Sequence, residues 1–456
     1  MATSQFSDTL MLNRNSSNEV CALKAKRIPI TVRLLPIAFF FSYLNFTVFL
    51  FAYGPWPYPV VDGEALYIFL ALAHLALLTG YLSAAFGKPR SYFGRWQVKS
   101  VLLFSLLANL ILLWPTTAFR TGSWLLDLHA AISNPGIAYS QSLTQRLQTT
   151  PIIEYIRILL GPLLFMVLPL AVFYRCRLKL WVLGLGVFVI LGTVAMFVAM
   201  GTNKGIADTI FLTLWLLLAG HLSGVSRLRW RSKVLLLAGG LVSVGLFLAF
   251  FSAGMMTRSG SGALTGYFTA ARIYADSDNF LVQYLPADLR VGVYGLTSYL
   301  TQGYYALYLA LKEPFVPMAG IGNSIFLSNQ VSKITGLTEI MQLSYPARIG
   351  KYGWNAYTFW SSIYPWIASD ASFPGTIPIV FFIGRFFAQS WLDTLRGENL
   401  FAVAMFAQFL IMLFYFPANN QVVQSGESYT TFWCIFICWI LTRKMYRLKN
   451  NERICA

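Results

Sequence analysis

Arg258, Arg272 and Arg290 alternate along the chain with Asp276, Asp278 and Asp288 and with Tyr267, Tyr274 and Tyr284. Guanidinium forks hold phosphate bidentately, and tyrosine rings offer a sugar a flat apolar face with a hydroxyl beside it. The same pattern also makes ordinary loop salt bridges. Farther on, Arg348 and Lys351 precede the aromatic run Trp354, Tyr357, Trp360, Tyr364 and Trp366, with Asp370 close behind. Such rings suit carbohydrate stacking and an interfacial belt equally well. Lys204 opens an apolar run, where unpaired helix amides also favour an anion. The turn 201–205 is too short for a nucleotide phosphate loop. His74, His129 and His221 fall in separate segments, so no metal cluster is expected. A buried, hydrogen-bonded imidazole is the ordinary reading of His74.

What must position these residues is a membrane-embedded chain. Of its 456 residues 57% are hydrophobic and only 11% charged, where a soluble globule carries roughly a quarter charged. Apolar runs long enough to cross a bilayer fall at 31–53, 64–86, 98–118, 152–174, 178–200, 205–222, 233–253, 373–392, 399–418 and 428–442. The expected fold is therefore an all-α polytopic membrane protein of about ten helices. The tail 1–30 is polar, so no cleavable signal peptide is expected. Seven spans occupy 31–253, three occupy 374–445, and a short tail 446–456 follows.

Lys and Arg concentrate in alternate connections, and these are read as cytoplasmic. That side carries 22 basic and 5 acidic residues, while the other carries 11 and 12. The net charge of +17 is thus topological and gives no argument for nucleic acid. Both termini are expected in the cytoplasm. Cys21, Cys176 and Cys455 fall on that side and Cys434 and Cys438 within the last span, so no disulfide is expected. Arg385 inside a span reads as a packing or snorkelling arginine, and Glu154 with Arg157 as a pair on one helix face.

Between the seventh and eighth spans lies a 120-residue extracytoplasmic stretch, 254–373. Its uncharged segment 291–311 gathers Thr297, Ser298, Thr301 and Gln302 on one helical face. It reads either as a helix lying in the interface or beneath the loop, or as a span. A span there requires a second near 357–372, giving twelve. The connections 54–63 and 120–150, the latter with Trp124, His129 and Arg146, are expected to wall a cavity without doing chemistry.

Gly353-Trp354-Asn355-Ala356-Tyr357-Thr358-Phe359, followed by Tyr364-Pro365, Asp370 and Gly375, resembles the signature of bacterial oligosaccharide repeat-unit polymerases, the O-antigen polymerase (Wzy-type) group. Gly201-Thr202-Asn203-Lys204 is similar to that family's Gly-Ser-Arg-Ser-like turn, and Gly320-Ile321-Gly322-Asn323-Ser324 to its Gly-rich segment. Lys204 stands where an arginine is common, and Ala371-Ser372-Phe373-Pro374 lengthens the step from Asp to Gly.

The resemblance implies a GT-C-like fold in the bacterial inner membrane and a reaction at its periplasmic face. The growing glycan would pass from one undecaprenyl pyrophosphate to the non-reducing end of a second lipid-linked repeat unit. It also implies a chain-length-determining membrane protein as partner, beside donor, acceptor and membrane lipids. Sugar C1 separates from a leaving group that is already acidic, so cations matter more than a proton donor, and neither nucleotide nor metal is expected. Arg258, Arg348 and Asp370 are the expected catalytic residues. Arg258, Arg272, Arg290, Arg348, Lys351 and Lys204 would bind pyrophosphate. Tyr267, Tyr274, Trp354, Asn355, Tyr357, Trp360 and Tyr364 would bind sugar. Asp276, Asp278, Glu339 and Asp370 are the candidate general bases. O-antigen ligase is the alternative enzyme, typically using a histidine in its large external loop, and 254–373 has none. A non-enzymatic flippase or exporter of lipid-linked glycans is the third reading.

Overall fold

A computed structural model describes residues 28–87, 90–92, 96–148, 152–226, 230–259, 266–268, 271–337 and 339–444. The terminal tails, with Cys21 and Cys455, lie outside these residues, as do the side chains of Arg258 and Asp288. Among the described residues, eight helices are long and apolar enough to cross a membrane. In chain order they are α1 (Ile30–Tyr53), α2 (Glu64–Ala85), α3 (Val98–Thr121), then, after the short α4 (Leu128–Ser133) and α5 (Pro135–Gln148), α6 (Ile152–Phe173), α7 (Leu180–Ala199), α8 (Lys204–Leu222), α9 (Trp230–Ser259) and, later, α13 (Ile363–Arg396).

The two remaining expected spans form shorter helices. One is α14 (Leu400–Phe414), of 15 residues, and the other α15 (Gly426–Thr442), of 17. At about 1.5 Å per residue neither reaches the roughly 30 Å of a hydrocarbon core. Residues 400–413 are all buried. A helix apolar on every side is what a bundle interior requires, so α14 packs against protein around its whole circumference. Phe406 stacks on Phe387 of α13 with ring centres 5.8 Å apart.

α13 is longer than expected because two helical pieces run together. They meet at Ser372, whose φ of 63° and ψ of 169° lie outside helical space, just before Pro374. The expected span at 373 begins at this break. Against α2 the main chains touch. A Cβ on Gly80 would lie 1.9 Å from the Phe381 carbonyl oxygen, and one on Gly384 2.2 Å from that of Leu77. Two glycines therefore set the closest helix crossing by removing side chains where the backbones meet.

Segment 291–311 belongs to α10 (Ala287–Ala310), which is absent from the eight apolar helices and yet packs inside the protein. Thr297, Ser298, Thr301 and Gln302 are all buried. Their partners explain this: Trp56 Nε1 donates to Thr297 at 3.1 Å, and Tyr58 shares a hydrogen bond with Thr301 at 3.1 Å. Tyr304 does the same with Thr47 of α1 at 2.8 Å. The polar face is the packed face: Thr297 and Thr301 find partners on the 54–63 connection and Tyr304 on α1, Ser298 donates to the Gly295 carbonyl of its own helix, and Gln302 accepts from the Trp360 amide. That connection braces α10 and does not appear in the wall of the cavity described below, contrary to expectation.

Between α10 and α13 come α11 (Ile325–Thr335) and the single turn α12 (Tyr345–Arg348). Two two-residue ladders complete the fold: β1 (Ser91–Tyr92) with β4 (Arg443–Lys444), and β2 (Tyr267–Phe268) with β3 (Ile273–Tyr274). Near the first ladder, Asp393 is buried and accepts from Arg443 Nε at 2.5 Å, Trp439 Nε1 at 3.1 Å and the Arg90 amide at 3.0 Å.

Candidate functional site: a basic cavity at one end of the bundle

Several connections converge at the opposite end. The Asp276 amide donates to the Pro55 carbonyl and that of Phe326 to the Gln424 carbonyl. The Gly136 amide donates to Thr257 Oγ1 at the end of α9. Beneath this junction lies a cavity of about 500 Å³, walled by the facing ends of α3, α5, α6, α7, α8, α14 and α15. Leu164, Phe165, Leu168, Val189 and Leu212 form its apolar depth. Four basic side chains, Arg120, Arg146, Arg157 and Lys204, line it against two carboxylates, Asp208 and Glu427.

Helix ends place these charges. Arg120 sits in the last turn of α3, Arg146 in that of α5, Glu154 and Glu427 in the first turns of α6 and α15. Arg157 grips Glu427 with Nε at 2.9 Å and Nη2 at 2.7 Å. Arg120 grips Glu154 with Nε at 2.9 Å and Nη2 at 3.1 Å, and its Nη2 lies 3.7 Å from Glu427. The expected pair of Glu154 with Arg157 is not formed. Each residue instead pairs across helices, since a bidentate fork requires a carboxylate facing it from another element.

Arg146 differs from its neighbours. Among the described residues no carboxylate lies within ion-pair distance of it, and its Nε donates only to the Ser142 carbonyl, at 3.4 Å. Burial, and then the neighbouring Arg120 cation, pull its pKa below the ordinary arginine value. A guanidinium so placed gains from an anion in the cavity. Across the cavity, Lys204 Nζ donates to Asp208 Oδ2 at 2.6 Å, and Tyr415 Oη donates to Asp208 Oδ1 at 3.0 Å.

Of the sequence-derived site residues whose side chains are described, only Lys204 lines this cavity. Arg348 and Lys351 converge on buried Glu313 at 3.0 and 2.7 Å, and Tyr352 Oη donates to it at 2.9 Å. Arg348 also donates to the Pro314 carbonyl at 2.7 Å. These two cations hold the chain after α10, because one carboxylate already occupies both. Arg290 donates to the carbonyls of Leu285 and Gln283 and so ties down the entry to α10. Arg272 is exposed in the β2–β3 turn with φ 54°. Arg258 lies in the last turn of α9.

The aromatic expectations divide by burial. Trp354 and Tyr364 are both 0% exposed and Trp366 is 1% exposed, so none has a ring face open to a sugar. Phe268, Tyr305 and Phe359 cover Trp354. Tyr267 and Tyr274 pair across the hairpin with ring centres 4.8 Å apart and keep exposed edges. Tyr357 is exposed, and Asn355 accepts its amide in a turn. Trp360 packs edge-on against Tyr299 at 4.6 Å and lies near Tyr415 at 6.1 Å.

Asp370 has a definite task. It accepts from the amides of Gly320 at 2.9 Å, Gly322 at 2.8 Å and Asn323 at 2.9 Å. With both oxygens engaged by backbone, it acts here as an anchor of the Gly-rich segment and not as an open base. Asn323 in turn accepts from Asn420 and Gln424, and Ser324 donates to the Val423 carbonyl. Gln421, Val422 and Gln424 are cavity wall. Asn323 is therefore one hydrogen bond removed from the cavity and Asp370 two, while Thr202 and Lys204 line it directly. Asp276 caps its own turn by accepting the Asp278 amide, and Asp278 and Glu339 are exposed.

Arg120, Arg146, Arg157, Asp208 and Glu427 were not singled out as site residues by the sequence reading. The available signal was ionisable groups at the ends of apolar spans, all on the side away from the basic loops. Buried His74 makes no hydrogen bond through Nε2, unlike the satisfied imidazole expected, and Arg385 donates to Ser83 of α2 at 3.0 Å. Among the described residues no group of three His, Cys, Asp or Glu is placed to hold a metal. Compared with family models, curated proteins and solved structures, the chain matches none.

Proposed function

We propose that this chain is a membrane glycosyltransferase that polymerises polyprenyl-pyrophosphate-linked repeat units, with the pyrophosphate bound in the basic cavity. The observation that carries the reading is the cavity lining: four basic side chains against two carboxylates at the mouth, with apolar walls behind. A lipid pyrophosphate matches both parts, its anion at the guanidinium cluster and its first isoprenes along the apolar depth. The charge bias of the loops supports a periplasmic mouth, both termini in the cytoplasm and residence in the bacterial inner membrane. The link from Asp370 through Gly320–Ser324 to the wall at 421–424 supports the family resemblance. On this reading α14 and α15 complete a ten-helix GT-C-like bundle with α10 braced beneath the external segment.

In the reaction, the acceptor hydroxyl oxygen forms a bond to sugar C1 of the donor as the bond from C1 to the pyrophosphate oxygen breaks. The cations stabilise the pyrophosphate as charge develops on it, and the uncommitted Arg146 contributes most. The test is purified protein in liposomes with synthetic polyprenyl-pyrophosphate repeat units, without nucleotide or added metal. A ladder of longer glycans is expected. Arg146→Ala should slow it about 100-fold, the scale of losing one transition-state donor. Transport of the lipid-linked unit without elongation by the unaltered protein overturns the reading.

A further inference from the structure

The acceptor hydroxyl must lose a proton as it attacks, and the cavity holds two carboxylates that could take it. Glu427 is committed: Arg157 engages both of its oxygens and Arg120 approaches one of them. Asp208 is held differently: no guanidinium fork closes over it, and its two oxygens meet separate partners, Lys204 on one and Tyr415 on the other. A carboxylate offers about four lone-pair positions, so Asp208 keeps acceptor capacity toward the cavity it lines. The remaining carboxylates proposed from sequence are a backbone anchor, Asp370, or lie outside the lining, namely Asp276, Asp278 and Glu339.

Resting on the polymerase reading, we infer that Asp208 is the general base for the acceptor hydroxyl and that Lys204 and Tyr415 aim it. The proton passes from the acceptor oxygen to an Asp208 oxygen while that oxygen bonds to C1. The electron pair of the breaking bond leaves with the pyrophosphate beside Arg146. Asp208 then returns the proton to water at the cavity mouth. One arrangement thereby separates the roles, with the arginines on α3, α5 and α6 serving the donor and the first turns of α8 serving the acceptor. The charged and titratable groups that set the base's behaviour are Lys204 on its own helix, Tyr415 after α14, and Arg120, Arg146, Arg157 and Glu427 across the cavity.

The experiment compares Asp208→Asn, Asp208→Glu and Asp278→Asn with the unaltered protein. It uses the liposome laddering assay, its pH profile, and fluorescence-monitored binding of the synthetic donor. Asp208→Asn should lose about 100-fold or more in rate, the typical contribution of a general base, while binding donor as before. Asp208→Glu should recover part of that rate with a displaced acid limb, and Asp278→Asn should ladder normally. A structural ion pair alone would not displace the limb. An Asp208→Asn rate within threefold of the unaltered protein overturns the assignment, as does an Asp208→Glu protein that binds donor but shows an unmoved limb. Absence of laddering by the unaltered protein is a separate result and removes the polymerase reading itself.

Discussion

Arg157 and Glu427, on helices far apart in sequence, share a two-pronged ion pair at 2.9 and 2.7 Å that ties α6 to α15 at the cavity mouth. Their side chains are 12% and 27% exposed. Removing one partner of a largely buried pair leaves a stranded charge, at a cost of about 3 kcal/mol. Arg157→Ala should therefore lower thermal stability in detergent. Glu427→Gln should do so less, because the amide still accepts one hydrogen bond. Equal stability in both variants and the unaltered protein would show that the pair does not hold the helices.

Asp370 is expected to behave as a scaffold residue with a distant effect. Asp370→Ala strips the acceptors from three backbone amides, and a hydrogen bond to a charged group contributes roughly 1.5–3 kcal/mol. Hydrogen exchange should accelerate at 320–326 and, through Asn323, at 420–424. Exchange confined to residue 370 and its helix would contradict the linkage to the cavity wall.

The α2–α13 crossing leaves no room for a methyl group. With a Cβ placed 2.2 Å from the Leu77 carbonyl oxygen, Gly384→Ala must push the helices apart, and overpacking of this kind costs typically about 1–3 kcal/mol. Gly184, with nothing near its added Cβ, supplies the control, since Gly184→Ala should be tolerated. Thermal unfolding of the two variants side by side makes the comparison.

The Glu313 cluster predicts an acid-sensitive segment. Burial pushes the Glu313 carboxyl upward, but hydrogen bonds from Lys351, Tyr352 and Arg348 together outweigh it and hold its pKa below the ordinary value. A depressed carboxylate contributes stability that is fully present above its unfolded pKa of about 4.3 and is lost as pH falls through the folded value. Limited proteolysis at 313–352 should therefore be slow at pH 6 and accelerate below pH ~4. Glu313→Gln should abolish that acid dependence and already loosen the segment at pH 6.

Period and composition made the membrane helices legible. Runs such as 64–86 and 152–174 coincide closely with α2 and α6, because twenty apolar residues in lipid have few options other than helix. α10 was harder to place, since its threonines and glutamine look solvated until Trp56 and Tyr58 are seen to meet the threonines and the Trp360 amide the glutamine. The depth of α14 was hidden too: its sequence matches a lipid-facing span, and only the surrounding helices reveal that protein covers every side.

By itself, the sequence determined a polytopic helical membrane protein and a charge bias between its two sides. Tertiary structure alone decided which charges work together. Hydropathy is a sum over neighbours in the chain and is blind to partners. Arg348 and Lys351 became structural when one buried carboxylate claimed both, and Arg146 was left, among the described residues, without a carboxylate at ion-pair distance when its neighbours paired elsewhere. Charge becomes chemically available only after pairing is settled, and pairing is a property of the packed helices.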